Sequence, residues 1–371
     1  MVKENETESI DVVEMLPKKM PSEQKILCQD LKQNLLFIST DKHGCKGGSR
    51  PKPIIIKRFI STSELLFEGL GLFMGDGLKL SQGQFKLFGF SNNEIELHRR
   101  FIKFAYQCLG LPPLLFRVRV SIPPELQNDI RDIEKMFSRE SGIPPENFNK
   151  PRIKKMNKPC FEIKFCSVLL GEIIQLLLKN VKPRLLSSEN FAAGFLRGLI
   201  ASEGHVSVSN DNNLRGIFIG AKDEGKKELI RKLLILLGIL PSKNSKESVV
   251  ISGLRNFKIM KKWNLCELHP DKNNHFNSDP IQKKEEHFMK GEARLIILNL
   301  LSKSNLKTKK ELSNILGMKV NVITNNLLVL KKKDFIKDVK VLNKKKVWSI
   351  TREGLKLLNE DDIIAKLRSR N

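Results

Sequence analysis

Two stretches of this chain, whose acidic residues Asp76 and Glu203 lie 127 positions apart, repeat one three-part pattern. The first runs LLFEGLGLFMGDG, then LKLSQGQFKLFGF, then SNNEIELHRRFIKFAYQCLGLP. The second runs FAAGFLRGLIASEG, then HVSVSNDNNLRGIFIG, then AKDEGKKELIRKLLILLGILP. Each copy is an apolar helical segment closed by an acid and a glycine, an alternating segment, and an amphipathic helical segment ending in Leu-Gly. Gly77 to Gly110 spans 33 residues and Gly204 to Gly238 spans 34. Three matched elements at matched spacing imply a duplicated unit within residues 60–264.

Local signals in each half predict an α+β fold. Ser61-x-x-Glu64 reads as a capping box for the first helix, Ser187 or Ser188 can cap its counterpart, and Ser91-x-x-Glu94 opens the following helix. After each acid the helical period gives way to strict alternation: in His205-Val206-Ser207-Val208-Ser209 the valines face one way and the polar residues the other. Further strands fit 116–120, 161–165 and 249–251, and helices fit 128–140, 167–180 and 254–263. Helices then cover one face of an antiparallel sheet, and its other face stays polar. Upstream, 26–38 reads as an amphipathic helix and 54–56 as a short strand behind the loop GCKGGSRPKP.

The chemistry belongs where the duplicated helices end. Gly71 and Gly75 are one turn apart, as are Gly194 and Gly198. Each glycine inside a helix costs ~1 kcal/mol, so four of them need a packing reason: two flat stripes in backbone contact. Such packing brings the helix C-termini together and with them Asp76 and Glu203, each followed by a glycine. Two carboxylates at the negative ends of two helix dipoles repel, and a hard divalent cation such as Mg²⁺ between them resolves the conflict.

Gly69-Leu-Gly-Leu-Phe-Met-Gly-Asp-Gly77 and Leu196-Arg-Gly-Leu-Ile-Ala-Ser-Glu-Gly204 resemble the two motif copies of the LAGLIDADG homing endonucleases. The resemblance covers roughly residues 55–264, and two copies in one chain resemble the single-chain, pseudo-symmetric form, a monomer. It implies a duplicated αββαββα-type fold with an antiparallel saddle for double-stranded DNA. It also implies metal-dependent phosphodiester hydrolysis, with Asp76 and Glu203 as ligands to Mg²⁺ or Mn²⁺, and a link to intron mobility. Members often add a basic or amide residue just beyond the motif or at the hairpin's end; Lys79, three after Asp76, and Lys222, at the exit of the second hairpin, match those placements, and His205 is a further basic candidate. Base reading falls to outward strand residues: Lys79, Gln82, Gln84 and Lys86, then His205, Ser207, Ser209, Asn210, Asn212 and Arg215. Asn and Gln suit the adenine edge, and Arg and Lys suit guanine.

Composition agrees with a polyanionic partner. The chain of 371 residues carries a net charge of +25, which points to nucleic acid or an anionic surface. No apolar run is long enough to span a bilayer; Leu65 to Leu80 is broken by Glu68 and Asp76. The start MVKENETESIDVVE is too acidic for a secretory signal, and six scattered cysteines suit a reducing cytosol, so a cytoplasmic, nucleoid-associated protein is expected. Gly69-x-Gly71 with Gly75 has the wrong spacing for a dinucleotide fingerprint. Cys266-x-x-His269 with His275 lacks a second close ligand pair for zinc. Met1 at the start and Arg370 before Asn371 speak against an intein and for a free-standing gene product.

The C-terminal stretch carries a disproportionate share of the charge: residues 287–371 hold 20 Lys and Arg against 8 Asp and Glu. Residues 292–302, 308–316 and 319–331 predict three helices, followed by strands 335–342 and 346–350 and a closing helix from Thr351. The order resembles a winged helix-turn-helix domain, with Asn321, Thr324 and Asn325 toward the major groove. Lys331–Lys333 and Lys344–Lys346, Lys345 included, would lie on phosphates. The resulting division is an N-terminal extension (1–53), a first half (54–180), a second half (181–268), a polar linker (269–286) and the winged-helix domain (287–371). The expected activity is sequence-specific cleavage of double-stranded DNA. The alternatives are a DNA-binding transcription regulator that does not cut and an RNA maturase.

Overall fold

The computed structural model describes residues 9–18, 25–41, 53–78, 87–209, 214–241, 243–244, 246–278, 291–303, 307–316, 318–340 and 346–358. They fall into two compact units, the first drawn from 1–252 and 256–283 and the second from 253–255 and 284–371. Both are mixed α and β.

The first unit opens with β1 (Ser9–Asp11), α1 (Val12–Met15), β2 (Ile26–Leu31), β3 (Leu35–Thr40), β4 (Ile54–Lys57) and β5 (Phe59–Ser61). The expected helix over 26–38 is instead the β2–β3 hairpin, and β3 pairs in turn with β4. Gln33 and Asn34 at its tip take φ of 61° and 60°, left-handed values that end a helix and suit a tight turn between strands. β1 pairs with β5, so strands on both sides of position 53 share the same sheets.

Next come α2 (Glu64–Asp76), β6 (Phe88–Asn92), α3 (Ile95–Leu109), β7 (Arg117–Ile122), α4 (Ile130–Ser141), β8 (Phe148–Ile153), β9 (Cys160–Phe165), α5 (Val168–Asn180) and α6 (Lys182–Ser187). The four-stranded sheet has the order β6-β9-β7-β8. It is not wholly antiparallel as expected: β8 runs parallel to β7, because the connection between them crosses over through α4. Val118, Val120, Ile122, Phe161 and Ile163 are buried, and α3 adds Leu97, Phe101, Phe104 and Ala105 to the same core.

The chain continues with α7 (Glu189–Glu203), β10 (Gly204–Val208), β11 (Leu214–Gly220), α8 (Glu224–Leu236), β12 (Lys243–Asn244), β13 (Ser248–Ile251), α9 (Leu254–Lys262) and α10 (Pro270–Ser278). Its sheet has the order β10-β11-β13-β12, all antiparallel. Residues 270–278, read from the sequence as linker, are helical because His269 Nδ1 accepts from the Lys272 amide at 3.5 Å and Phe276 buries its ring against Phe257. Two caps also differ from expectation. Ser63, not Ser61, caps α2 by accepting from the Leu66 amide, and Asn92, not Ser91, accepts from the Glu94 amide before α3; Ser61 and Ser91 are strand residues. Ser188 caps α7 as one of the two expected serines.

The second unit contains α11 (Glu292–Lys303), β14 (Lys307–Thr308), α12 (Lys309–Leu316), α13 (Val320–Lys332), β15 (Ile336–Lys340), β16 (Lys346–Ile350) and α14 (Arg352–Leu357). Its sheet is β14-β16-β15, and Leu298, Leu301, Leu312, Ile323, Leu327, Leu330 and Trp348 fill its core. Thr351 caps α14 through a bond from the Gly354 amide.

Candidate acidic site at the ends of helices α2 and α7

Helices α2 and α7 are apolar around most of their circumference and bury nearly all their middle residues. Their glycines are where the two backbones touch. A Cβ on Gly71 would fall on the carbonyl oxygen of Phe195, and one on Gly198 would fall on that of Glu68 and lie 2.8 Å from the Leu72 amide nitrogen. The reciprocal contact requires glycine on both helices and fixes their register. The register carries through to the ends: a Cβ on Gly75 would clash with Ser202 and lie 3.2 Å from Glu203 Cγ. Asp76 and Glu203 therefore stand at the same end of the helix pair, both half-buried.

A buried ion-pair network locks that register. Glu68 on α2 is completely buried and pairs with Arg100 of α3 and, at 3.4 Å, with Arg197 Nη1 of α7. Arg197 also binds Glu64, donates to the carbonyls of Asn264 (3.3 Å) and Trp263 (3.1 Å), and lies 3.6 Å from Glu267. A carboxylate in such a place is stable only with its charge and lone pairs met, as they are here.

Each acid is held by a side chain of the helix or strand that follows it. Asn92, at the end of β6, donates from Nδ2 to Asp76 Oδ2 at 2.7 Å. The Asn92 carbonyl accepts from His98 Nε2 at 3.1 Å. His98 is fully buried among Phe90, Phe137 and Phe161, and burial pushes its pKa down to about 4, so the ring is neutral. Glu203 Oε1 takes Lys226 Nζ of α8 at 3.3 Å, and its other oxygen lies 2.9 Å from the Cβ position of Gly220 on β11.

Lys272 of α10 completes the site, and sequence patterning gave no sign of it. Its Nζ donates to the carbonyls of Ile200 (3.1 Å), Ala201 (2.5 Å) and Ser202 (3.2 Å), the last turn of α7. Burial pulls its pKa down to about 8, while the nearby charges of Asp76 and Glu203 act in the opposite direction. Lysine at a helix C-terminus is favoured by the dipole and by unsatisfied carbonyls. Sequence patterning does not single out Lys226 either; of the two lysines it does single out, Lys222 is exposed between β11 and α8, and Lys79 lies outside the described residues. Among the described residues no group of three His, Cys, Asp or Glu side chains is placed to hold a metal ion. Cys266 is buried, and burial pushes its thiol up to about 12.

The expected base-reading residues are only partly visible. His205 is exposed on β10 opposite Phe218, Ser207 lies opposite Gly216, and Ser209 follows the strand. The register slips at Ser207/Val208, which leaves Arg215 as an exposed, unpaired bulge residue. Lys79, Gln82, Gln84, Lys86, Asn210 and Asn212 lie outside the described residues, as do Lys344 and Lys345. The sheet β6-β9-β7-β8 presents a further polar row: Arg117, Arg119 and Ser121 alternate with buried valines and Ile122, beside Lys164 on β9. Arg119 and Lys164 flank Glu162 at 4.0 and 3.4 Å. The signal was the alternation R-V-R-V-S-I.

In the second unit, Asn321 and Asn325 are exposed on α13, opposite the buried stripe Ile323, Leu327 and Leu330. Thr324 turns its hydroxyl back to the Val320 carbonyl at 2.9 Å. Lys331 pairs with Asp338 at 2.6 Å, and Lys346 takes the other oxygen of the same carboxylate at 2.5 Å. These two hydrogen bonds hold the Asp338 carboxyl well below the usual range.

Among the described residues no helix is long and apolar enough to cross a membrane. No curated protein sequence matches the chain. Among solved structures, a ZitR variant from Lactococcus lactis is 21% identical over 23% of this chain and 58% of its own, with a TM-score of 0.19, so the chain spans less than two thirds of that protein. The N-terminal LAGLIDADG domain of DUF199/WhiA is 15% identical over 54% of this chain and 81% of its own, with a TM-score of 0.33. A variant of I-DmoI, in complex with its nicked target DNA and in the presence of manganese, is 14% identical over 54% of this chain and 95% of its own, with a TM-score of 0.28. Residues 190–261, from α7 to α9, match the model of the LAGLIDADG-like domain.

Proposed function

We propose that this chain is a sequence-specific, metal-dependent endonuclease of double-stranded DNA, a two-motif LAGLIDADG form with a C-terminal winged-helix DNA-binding domain. One observation carries the reading: α2 and α7 meet backbone to backbone and end together on Asp76 and Glu203. Nothing in the packing of two helices calls for a carboxylate at each converging C-terminus, where the dipoles disfavour it.

The donor set fits a hard divalent cation: the carboxylates of Asp76 and Glu203 would hold it, with water and substrate phosphate left to complete the shell, as Mg²⁺ sites commonly have it. When bound, such an ion supplies a polarised water and neutralises charge on the phosphate. Asn92 holds the Asp76 carboxylate in place, Lys226 does so for Glu203, and the neutral His98 ring fixes Asn92. Exposed Arg117, His205 and Arg215 are offered to the DNA from the two sheets, and Asn321 and Asn325 from the C-terminal unit.

A second reading, DNA binding without cleavage by a transcription regulator, is favoured by the lysines Lys226 and Lys272, which already bring positive charge to the acids. The experiment that separates the two is a Mg²⁺-dependent cleavage selection on a randomised plasmid library, run beside the double variant Asp76→Asn/Glu203→Gln. Discrete cuts lost in the variant support the nuclease. DNA bound equally and left uncut by both proteins supports the regulator.

A further inference from the structure

We propose that Lys272 is the resident counter-ion of the acid pair: it holds the end of α7 in place without metal, and a divalent cation must displace its charge to bind. The inference rests on the endonuclease reading of Asp76 and Glu203 and adds a control over when their site accepts an ion.

The geometry is specific. Lys272 reaches from α10 to three successive carbonyls on α7, at residues 200, 201 and 202. The three ammonium hydrogens match three acceptors, so the head group is fixed and not left to wander in solvent. The next residue of α7 is Glu203, and the Gly75 contact brings Asp76 to the same place. Lys226 meets Glu203 directly at 3.3 Å, and Lys272 adds a second positive charge beside the pair from the carbonyls of the three residues before Glu203. The ammonium thus does for the acids what a bound cation does: it offsets two negative charges gathered at two helix C-termini. A divalent ion entering there meets a like charge. Lys272 has to withdraw, or the ion binds weakly until DNA phosphates tip the balance.

Its place in the chain adds a second argument. Lys272 lies beyond the last strand of the duplicated region, on a helix that follows α9 and opens with Pro270 and Asp271. His269, which caps α10, and Phe276, which seats it against Phe257, are the residues that aim Lys272.

The test is Mn²⁺ binding to the full-length protein without DNA, read from the paramagnetic resonance signal of the free ion. Lys272→Gln keeps a hydrogen-bond donor and removes the charge; it should bind Mn²⁺ roughly tenfold more tightly than the natural protein. Lys272→Arg, which keeps the charge, should not. Equal or weaker Mn²⁺ binding by Lys272→Gln overturns the inference. The natural protein provides a check that needs no variant: saturating Mn²⁺ should speed amide hydrogen exchange across residues 270–278, and unchanged exchange at saturation overturns the clamp. Metal-dependent DNA cutting with both readouts flat would remove the clamp and leave the endonuclease reading standing. No Mn²⁺ bound by either protein, with or without duplex DNA, would overturn both.

Discussion

Asn92 Nδ2 lies 2.7 Å from Asp76 Oδ2, and the Asn92 carbonyl lies 3.1 Å from His98 Nε2. The acid at the end of α2 is therefore oriented by a strand residue that a buried imidazole orients in turn. Groups standing behind a metal ligand commonly matter ~10- to 100-fold for metal affinity or activity. Asn92→Ala should lower the cleavage rate by about that factor while leaving DNA affinity within about twofold, measured by single-turnover cutting and by anisotropy. An equal loss of binding would make Asn92 a structural residue only.

His98 links the stability of the first unit to pH. Its pKa is about 4 when folded against an ordinary 6.5, so the unfolded chain binds a proton that the folded one refuses between those values. Stability is then full above about pH 6.5 and falls as pH drops toward 4, by about 3 kcal/mol from this group. Urea melts at pH 7 and pH 5 should show the loss, and His98→Phe should flatten that part of the profile.

The backbone contact between α2 and α7 leaves no room for a methyl group. Gly198→Ala should destabilise the first unit by roughly 3 kcal/mol, since the new Cβ meets the Glu68 carbonyl and neither helix can shift without disturbing the other glycine contacts. A calorimetric melt indistinguishable from that of the natural protein would contradict the packing.

Breaking the buried ion network on one side should be worse than removing it altogether. Arg197→Met leaves Glu68 with Arg100 alone and is expected to cost about 3–5 kcal/mol. Adding Glu68→Leu should recover part of that loss. A double-mutant cycle on thermal or urea unfolding measures the coupling.

Asp338 occupies Lys331 and Lys346, two lysines that the proposed function assigns to DNA phosphates. Asp338→Asn should raise affinity for duplex DNA at low salt and steepen the dependence of log K on log salt by about 1 to 2. An unchanged slope would place Lys331 and Lys346 away from phosphate.

Much of the architecture is local and so was legible in residue order. Alternation in HVSVS and RVRVSI predicts half-buried strands, a 3.6-residue period predicts α3 and α8, and paired glycines with terminal acids predict the contact of α2 with α7. These patterns depend on near neighbours in the chain. The 26–38 segment misled because its apolar residues fit either period over so short a run, and only pairing with β4 decides for strands. The parallel run of β8 was hidden for a related reason: strand direction depends on where the chain returns, which periodicity does not encode.

The candidate site divides the same way. Asp76 and Glu203 are legible because each closes a repeated motif, whereas the lysine that meets Glu203, Lys226, has no such mark in the sequence. Lys272 reaches α7 across some 70 residues of chain, and Arg197 meets Glu68 across 129. The sequence by itself determined the two apolar helices, their facing glycines and the acids at their ends, since each follows from spacing within one element. Which cations meet those acids was decided only by the fold, because an ion pair depends on distance in space and leaves no period in the chain.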